Sequence, residues 1–443
     1  MPGFIDSHTH LVSRGLELQY IDMDRCTSLD ECLTMLREHR NSYDVVFASN
    51  WDESQWKSFK PTMLTRGILD RISRSKPVIM RRVCGHCAVV NTVALRKIPA
   101  RWRIVDRKTG WLYEDAALFL NTIFKPDAAM ETKAVKLACA EAVRRGITSI
   151  HEIGNLNRFS LLQHARNIGV LKIRVAFYVL VQEIEKIITA RIRKGFGDPF
   201  LRFSGIKVFA DGSIGAQTAA LTRSYQGTRC RGKILVSKNR LKRIIRLAEQ
   251  NDLQLMIHTI GDRTTAHVVS ALDGIIRGKN ELRHRLEHLE CANRKEIARI
   301  ARLNLIASMQ PNFTRRWQQP GGMYEEYFGS GYTRLNLFRT IHAAGIKLVF
   351  GSDCMPMDPL YGIQGACEHP GLDGRISRSI AFKAYTSAGA FATYEERQKG
   401  QLKEGMNADL VILNHDPRSV KKIDSLQVMG TFVAGKQVFK RRS

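Results

Sequence analysis

Short apolar, β-branched runs alternate along most of this chain with stretches of helical period. "GITSIHEIG" (146–154), "KIRVAFYVLV" (172–181), "SGIKVFADGS" (204–213), "LQLMIHTIGD" (253–262), "RHRLEHLE" (283–290), "LNLIASMQPNF" (303–313) and "IKLVFGSDCMP" (346–356) read as strands. With "GFIDSH" at the start they number eight. Between them, "KAVKLACAEAVRR", "SLLQHARNI", "RLKRIIRLAEQ", "RTTAHVVSALDGIIR" and "RKEIARIARL" read as amphipathic helices. Eight strands joined by crossover helices predict an α/β fold, a TIM (β/α)8 barrel. One connection breaks the rhythm. Residues from about 12 to 140, between the first and second strands, far exceed a normal βα loop. They carry strand-like runs of their own, "DVVFASN" and "PVIMRRV", and read as an inserted subdomain placed to cover the barrel mouth.

The polar residues that interrupt these runs fall at strand ends. In "GFIDSHTH", period-two alternation turns His8 and His10 to one face, as two metal ligands would be, although a bare HxH is also found on ordinary surfaces. His258 closes the fifth strand, His288 the sixth and Asp353 the eighth, while Lys207 lies inside the fourth. Active sites of this barrel form at the C-terminal strand ends. One shared metal centre accounts for all six residues together. Asp211 and Gly212 follow the fourth strand and read either as pocket residues or as a turn. Glu152 and Gln310, with Asn312, end the second and seventh strands, where they would support the site. His86, in the insertion, reads as a substrate contact or a structural histidine.

Length and composition narrow the class. The chain has 443 residues, of which 44% are hydrophobic, so it can bury a large core. No run reaches the roughly 18 apolar residues of a membrane span, and a soluble, cytoplasmic protein is expected. Lys and Arg number 69 against 42 acids, a net charge of +27. The basic residues are scattered pairs such as Arg81-Arg82 and Arg315-Arg316, without a recognised nucleic-acid motif, so no specific nucleic-acid partner is expected. Nine cysteines do not make a disulfide scaffold. The close pair Cys84 and Cys87, in "VCGHC", reads as structural or incidental thiols ahead of zinc or redox chemistry.

The stretches "PGFIDSHTHL", "GWLYEDA", "GITSIHEIG", "IKVFADGSIGAQTAAL", "MIHTIGDR", "RLEHLE", "FGSDCMPMDPLYGI" and "LKEGMNADLVIL" resemble the amidohydrolase superfamily. More narrowly, the chain is similar to the YtcJ-like branch, which includes N-substituted formamide deformylases. The resemblance runs nearly end to end. It implies that His8 and His10 hold the more buried metal and that Asp353 ligates it and accepts a proton from bound water. It implies that His258 and His288 hold a second metal, with Lys207 as a carboxylated bridge. A buried lysine loses hydration and basicity, which suits carbamate formation, although Lys207 is also readable as a charged substrate contact. The implied cofactor is a divalent metal, zinc foremost, as one or two ions. The implied activity is hydrolysis of non-peptide carbon–nitrogen bonds in a small molecule by metal-activated hydroxide. The alternatives are a one-metal aminohydrolase that deaminates a heterocycle and a catalytically silent binding protein.

The resemblance also assigns the short β runs after residue 400 to a small β-sandwich beside the barrel. The expected domains are therefore 1–400, the barrel with its insertion, and 401–443, the sandwich remnant. In the family the sandwich uses both chain ends, whereas here Met1 stands just before the first barrel strand. The sandwich is expected to be truncated. Either a start upstream of Met1 or a homodimer would supply its missing partner.

Overall fold

Eight strands pair in parallel within one sheet in the computed structural model of the protein, which describes residues 1–42, 44–56, 59–100, 102, 105–118, 120–276 and 280–442. They are β1 (Phe4–Thr9), β2 (Ile147–Gly154), β3 (Arg174–Leu180), β4 (Leu201–Phe209), β5 (Gln254–Thr259), β6 (Arg285–His288), β7 (Ile306–Met309) and β8 (Leu348–Phe350). Each pairs with the next in chain order. Every residue of β1 and β2 is buried, as in parallel strands covered on both faces. Helices make the crossovers. The helix Lys238–Gln250 buries Leu241, Ile244, Ile245 and Ala248, the spacing of a helix lying on a sheet, and Ser237 caps its first turn by accepting from the Arg240 N–H. The barrel expected from the alternation is borne out.

The ladder runs from β1 round to β8, and other bonds draw β8 back to β1. The Asp353 N–H donates to the His8 carbonyl at 2.8 Å. The backbone N–H and hydroxyl of Ser352 donate to the Asp6 carboxylate at 2.8 and 2.5 Å. Gly351 makes this approach feasible, because a Cβ there would lie 2.4 Å from the His8 nitrogen. One boundary differs from the sequence reading. The seventh strand stops at Met309, and Pro311 opens a helix, Pro311–Trp317, that contains Asn312. Proline lacks the N–H a strand would need and suits the first helical turn.

The chain forms two compact units, one of residues 1–11 with 135–443 and one of residues 12–134. The second has its own six-stranded sheet, in the order Ile21–Asp22, Val46–Trp51, Val78–Arg82, Cys87–Val90, Trp111–Tyr113, Val105–Asp106. Phe47, Ile79, Val90, Leu95 and Leu112 belong to its buried core.

Near the C-terminus, β9 (Leu410–Leu413), β10 (Val428–Val433) and β11 (Lys436–Lys440) form an antiparallel sheet. Met1 and Val411 exchange backbone hydrogen bonds of 3.0 Å, so the first residues of the chain lie along β9. A buried ion pair, Arg174 Nε to Asp409 at 2.6 Å, ties this region to β3. Among the described residues, no helix is long and apolar enough to cross a membrane.

Candidate metal centre

β1 delivers His8 and His10 to its C-terminal end, and the turn after β8 delivers Asp353. One ligand atom from each of these three lies within 4.8 Å of the others. The Asp353 carboxylate is 3.3 Å from His10 Nε2 and 3.9 Å from His8 Nε2. His8 is buried, whereas the His10 side chain is 31% exposed, so the cluster has a wet side.

The other expected residues converge on His8. The Lys207 amine, fully buried, lies 3.3 Å from His8 Nε2. The His288 ring centroid is 4.8 Å from that of His8 and 4.5 Å from that of His258. All six residues therefore form one group.

Their hydrogen bonds define protonation. His8 Nδ1 lies 2.5 Å from the Glu287 carboxylate. Burial alone would push Glu287 up, but Arg285 and His8 hold it well below the usual carboxylate range. An ionised carboxylate only accepts, so Nδ1 carries the proton and the Nε2 lone pair faces Lys207 and Asp353. His258 behaves alike: its Nε2 is 3.0 Å from the Gly212 carbonyl, which fixes the proton there. Histidines that bind metals characteristically donate their second N–H to a carboxylate or a carbonyl.

Burial, reinforced by the Lys207 charge, lowers His8 to about 4. Burial also lowers His288, with His258 and His8 adding to it. Burial brings Lys207 down to about 8. Asp353 is lowered too, but in its case this favours the charged form. Against its burial, the His10 hydrogen bond and the charges of His8, His10 and Lys207 hold it at about 2. His8 and His288 are thus neutral imidazoles beside an ionised carboxylate, the donor chemistry of a borderline divalent cation. His288 Nδ1 and both ends of the Gln310 amide are buried without a hydrogen bond of normal geometry among the described residues. That imidazole, with the Gln310 side chain as a weak partner, fits a metal ligand.

Backbone strain accompanies the site. His288 (φ 74°) and Asp353 (φ 51°) both adopt left-handed conformations unusual for residues other than glycine.

Most of the remaining expected residues hold backbone. Glu152 accepts from Leu11 N–H at 2.6 Å and the Thr9 hydroxyl at 3.1 Å, pinning the segment around His10. Asp211 is buried, and its oxygens accept from the backbone N–H groups of Ala220, Ile260 and Gly261 at 2.9–3.1 Å. Asn312 donates to the Pro356 and Asp358 carbonyls and accepts from the Tyr385 hydroxyl. His86 Nδ1 pairs with Glu114 at 2.8 Å within the inserted unit.

Sequence reasoning missed the support beneath the cluster. Arg285 is fully buried and donates to Glu287, the Ser7 carbonyl and the Ser308 hydroxyl. It also donates to His151 Nδ1 at 2.8 Å, which leaves that imidazole's proton on Nε2. The available signal was alternation in "RLEH": Arg285 and Glu287, two apart, share one face of β6.

Fold and site together define a metal-dependent hydrolase built on a (β/α)8 barrel. The chain belongs to the amidohydrolase family, whose family model, described as "Amidohydrolase family", matches residues 1–439. It is 26% identical to the Bacillus subtilis protein YtcJ, over 99% of this chain and 89% of that protein. It is 22% identical to the N-substituted formamide deformylase of Arthrobacter pascens, over 98% of this chain and 87% of the relative. A crystal structure of an uncharacterized metal-dependent hydrolase from Pyrococcus horikoshii superposes with a TM-score of 0.79 at 25% identity, covering 95% of this chain and 87% of the other.

Proposed function

We propose that the protein hydrolyses amide-type carbon–nitrogen bonds, other than peptide bonds, in a small-molecule substrate. The observation that carries this reading is the convergence of His8, His10 and Asp353 beside buried Lys207 at the C-terminal ends of the barrel strands. His8, His10 and Asp353 would hold one divalent ion, with zinc the best match to the nitrogen-rich donors. His258 and His288 would hold a second. A bound ion supplies a Lewis acid and lowers the pKa of water from ~15.7 towards ~7.

The residues supply the rest. Asp353, held at about 2, is an ionised acceptor for the proton of the attacking water. It then returns that proton to the leaving nitrogen. Lys207, brought to about 8 by burial, has a neutral fraction near pH 7. That amine would add carbon dioxide with loss of one proton, and the resulting carbamate would offer two anionic oxygens as further donors for the ions. Glu287 and Arg285 fix the His8 ring, and Glu152 fixes the chain beside His10. The name of the Arthrobacter relative directs the first substrates to N-substituted formamides.

The test is a screen of N-formyl and N-acyl amines with metal-loaded and chelator-stripped protein, reading release of the free amine. Turnover by the loaded form alone is expected. Ammonia release from a heterocycle, without amine release, favours the one-metal aminohydrolase. A loaded enzyme inert to the whole screen contradicts the proposal.

A further inference from the structure

The inserted unit carries a second piece of chemistry, which the hydrolytic reading does not use. Its strands Val78–Arg82 and Cys87–Val90 form an antiparallel hairpin with Arg81 opposite Ala88. The connecting turn is Val83-Cys84-Gly85-His86. The Gly85 N–H donates to the Arg82 carbonyl at 2.9 Å, and Gly85 takes a positive φ of 73°. This tight turn sets the thiols of Cys84 and Cys87, three positions apart, side by side so that each acts on the other electrostatically. Both are reduced and buried, at 8% and 5% exposure.

The surroundings treat the two sulfurs differently. The Arg82 guanidinium is the cation that acts electrostatically on the Cys84 sulfur. It is held from behind by Glu53, 2.9 Å from its Nε, and by Asp52 at 3.5 Å. His86, paired with Glu114, lies on the same turn.

We propose that Cys84 and Cys87 are a redox couple that closes to an intramolecular disulfide when a small peroxide reaches it. Cys84 is the attacking sulfur. The Cys87 thiol donates a hydrogen bond to it, and with Arg82 and His86 this holds Cys84 well below the ordinary thiol range despite burial. The same hydrogen bond, with burial and the Cys84 charge, pushes Cys87 up. A low-pKa thiolate beside a resolving thiol is the arrangement that peroxide oxidises selectively.

In the first step the Cys84 thiolate attacks hydrogen peroxide. An S–O bond forms, the O–O bond breaks and hydroxide leaves, which gives a sulfenic acid. Cys87 then attacks that sulfur. The S–S bond forms, the S–O bond breaks, and water departs with the Cys87 proton. The hydroxide takes up the proton that Cys84 had lost on ionising, so two thiols and one peroxide become one disulfide and two waters. Burial restricts the oxidant to a molecule of about this size, and a dithiol reverses the reaction.

The test uses the reduced full-length protein and hydrogen peroxide, followed by alkylation and tryptic mass mapping. Both cysteines fall in one tryptic peptide, residues 83–96. That peptide should appear two hydrogens lighter, unalkylated, and be restored by dithiothreitol. Exposed Cys230 is the internal reference. The pair should oxidise at least ~10-fold faster than Cys230, since the thiolate is the form that peroxide attacks. Cys87→Ser should stop at a sulfenic acid on Cys84 that dimedone traps, and Cys84→Ser should trap nothing at Cys87. A pair that oxidises no faster than Cys230, or dimedone found on Cys87, overturns the proposal, and the wild-type comparison needs no variant to fold.

Discussion

A carboxylate 3.3 Å from one imidazole and 3.9 Å from another is held ionised, and in Asp353 this outweighs burial. Asp353→Asn keeps the shape and removes the proton acceptor. Turnover should fall at least ~100-fold, the lower range for losing a general base, with the far-ultraviolet circular dichroism unchanged. Near-normal turnover in a folded, metal-loaded variant removes Asp353 from the mechanism. A second residue gives a pH prediction. Burial holds His369 below its ordinary 6.5, against hydrogen bonds that favour the charged ring. As pH falls through 6.5 the unfolded chain therefore takes up a proton before the folded one, and stability is lost on the acid side. His369→Gln should make the melting temperature less sensitive to pH between about 7 and 5 than in the wild type, since Gln cannot titrate. Equal slopes refute this. His8, His10, His258 and His288 were legible because histidines are rare at the ends of apolar strands. Glu287 was not, because its partner His8 is 279 positions away and strict alternation puts it on the face opposite its neighbour His288. The positive φ of His288 breaks that alternation.

At the scale of elements, the barrel depends on how β8 meets β1. Gly351 permits it, and the Asp353 N–H and Ser352 complete it. Gly351→Ala would place a Cβ against backbone, which has no rotamer to yield. The expected result is a cost of about 1–3 kcal/mol, the range for overpacking, together with weaker metal retention because His8 is displaced. Calorimetry and metal analysis of the same variant check both. An unchanged melting temperature with full metal content contradicts this account of the seam. The strands were readable because buried parallel strands are near-continuous apolar runs. The bonds closing β8 onto β1 were not, since they pair residues more than 340 positions apart. The helix at Pro311 was misread because Met309, Pro311 and Phe313 keep a period-two alternation, and only the proline marks the change.

At the scale of the whole molecule, the insertion was visible as an over-long connection, but its six-stranded sheet was not. Two of its strands have only two residues, too short to leave a periodic signal. The charge of +27 is likewise visible in sequence and finds no focus there. Some of it is locally neutralised, as in Arg174–Asp409, Arg285–Glu287 and Arg82–Glu53. The central claim is that the barrel organises His8, His10 and Asp353 to hold a divalent ion on which hydrolysis depends. Metal content and turnover, followed together in one preparation through chelation and reloading, test it most directly. The account predicts about one or two divalent ions per chain, loss of turnover as they are removed, and recovery with zinc. A folded protein that keeps full turnover after its metal is gone contradicts it.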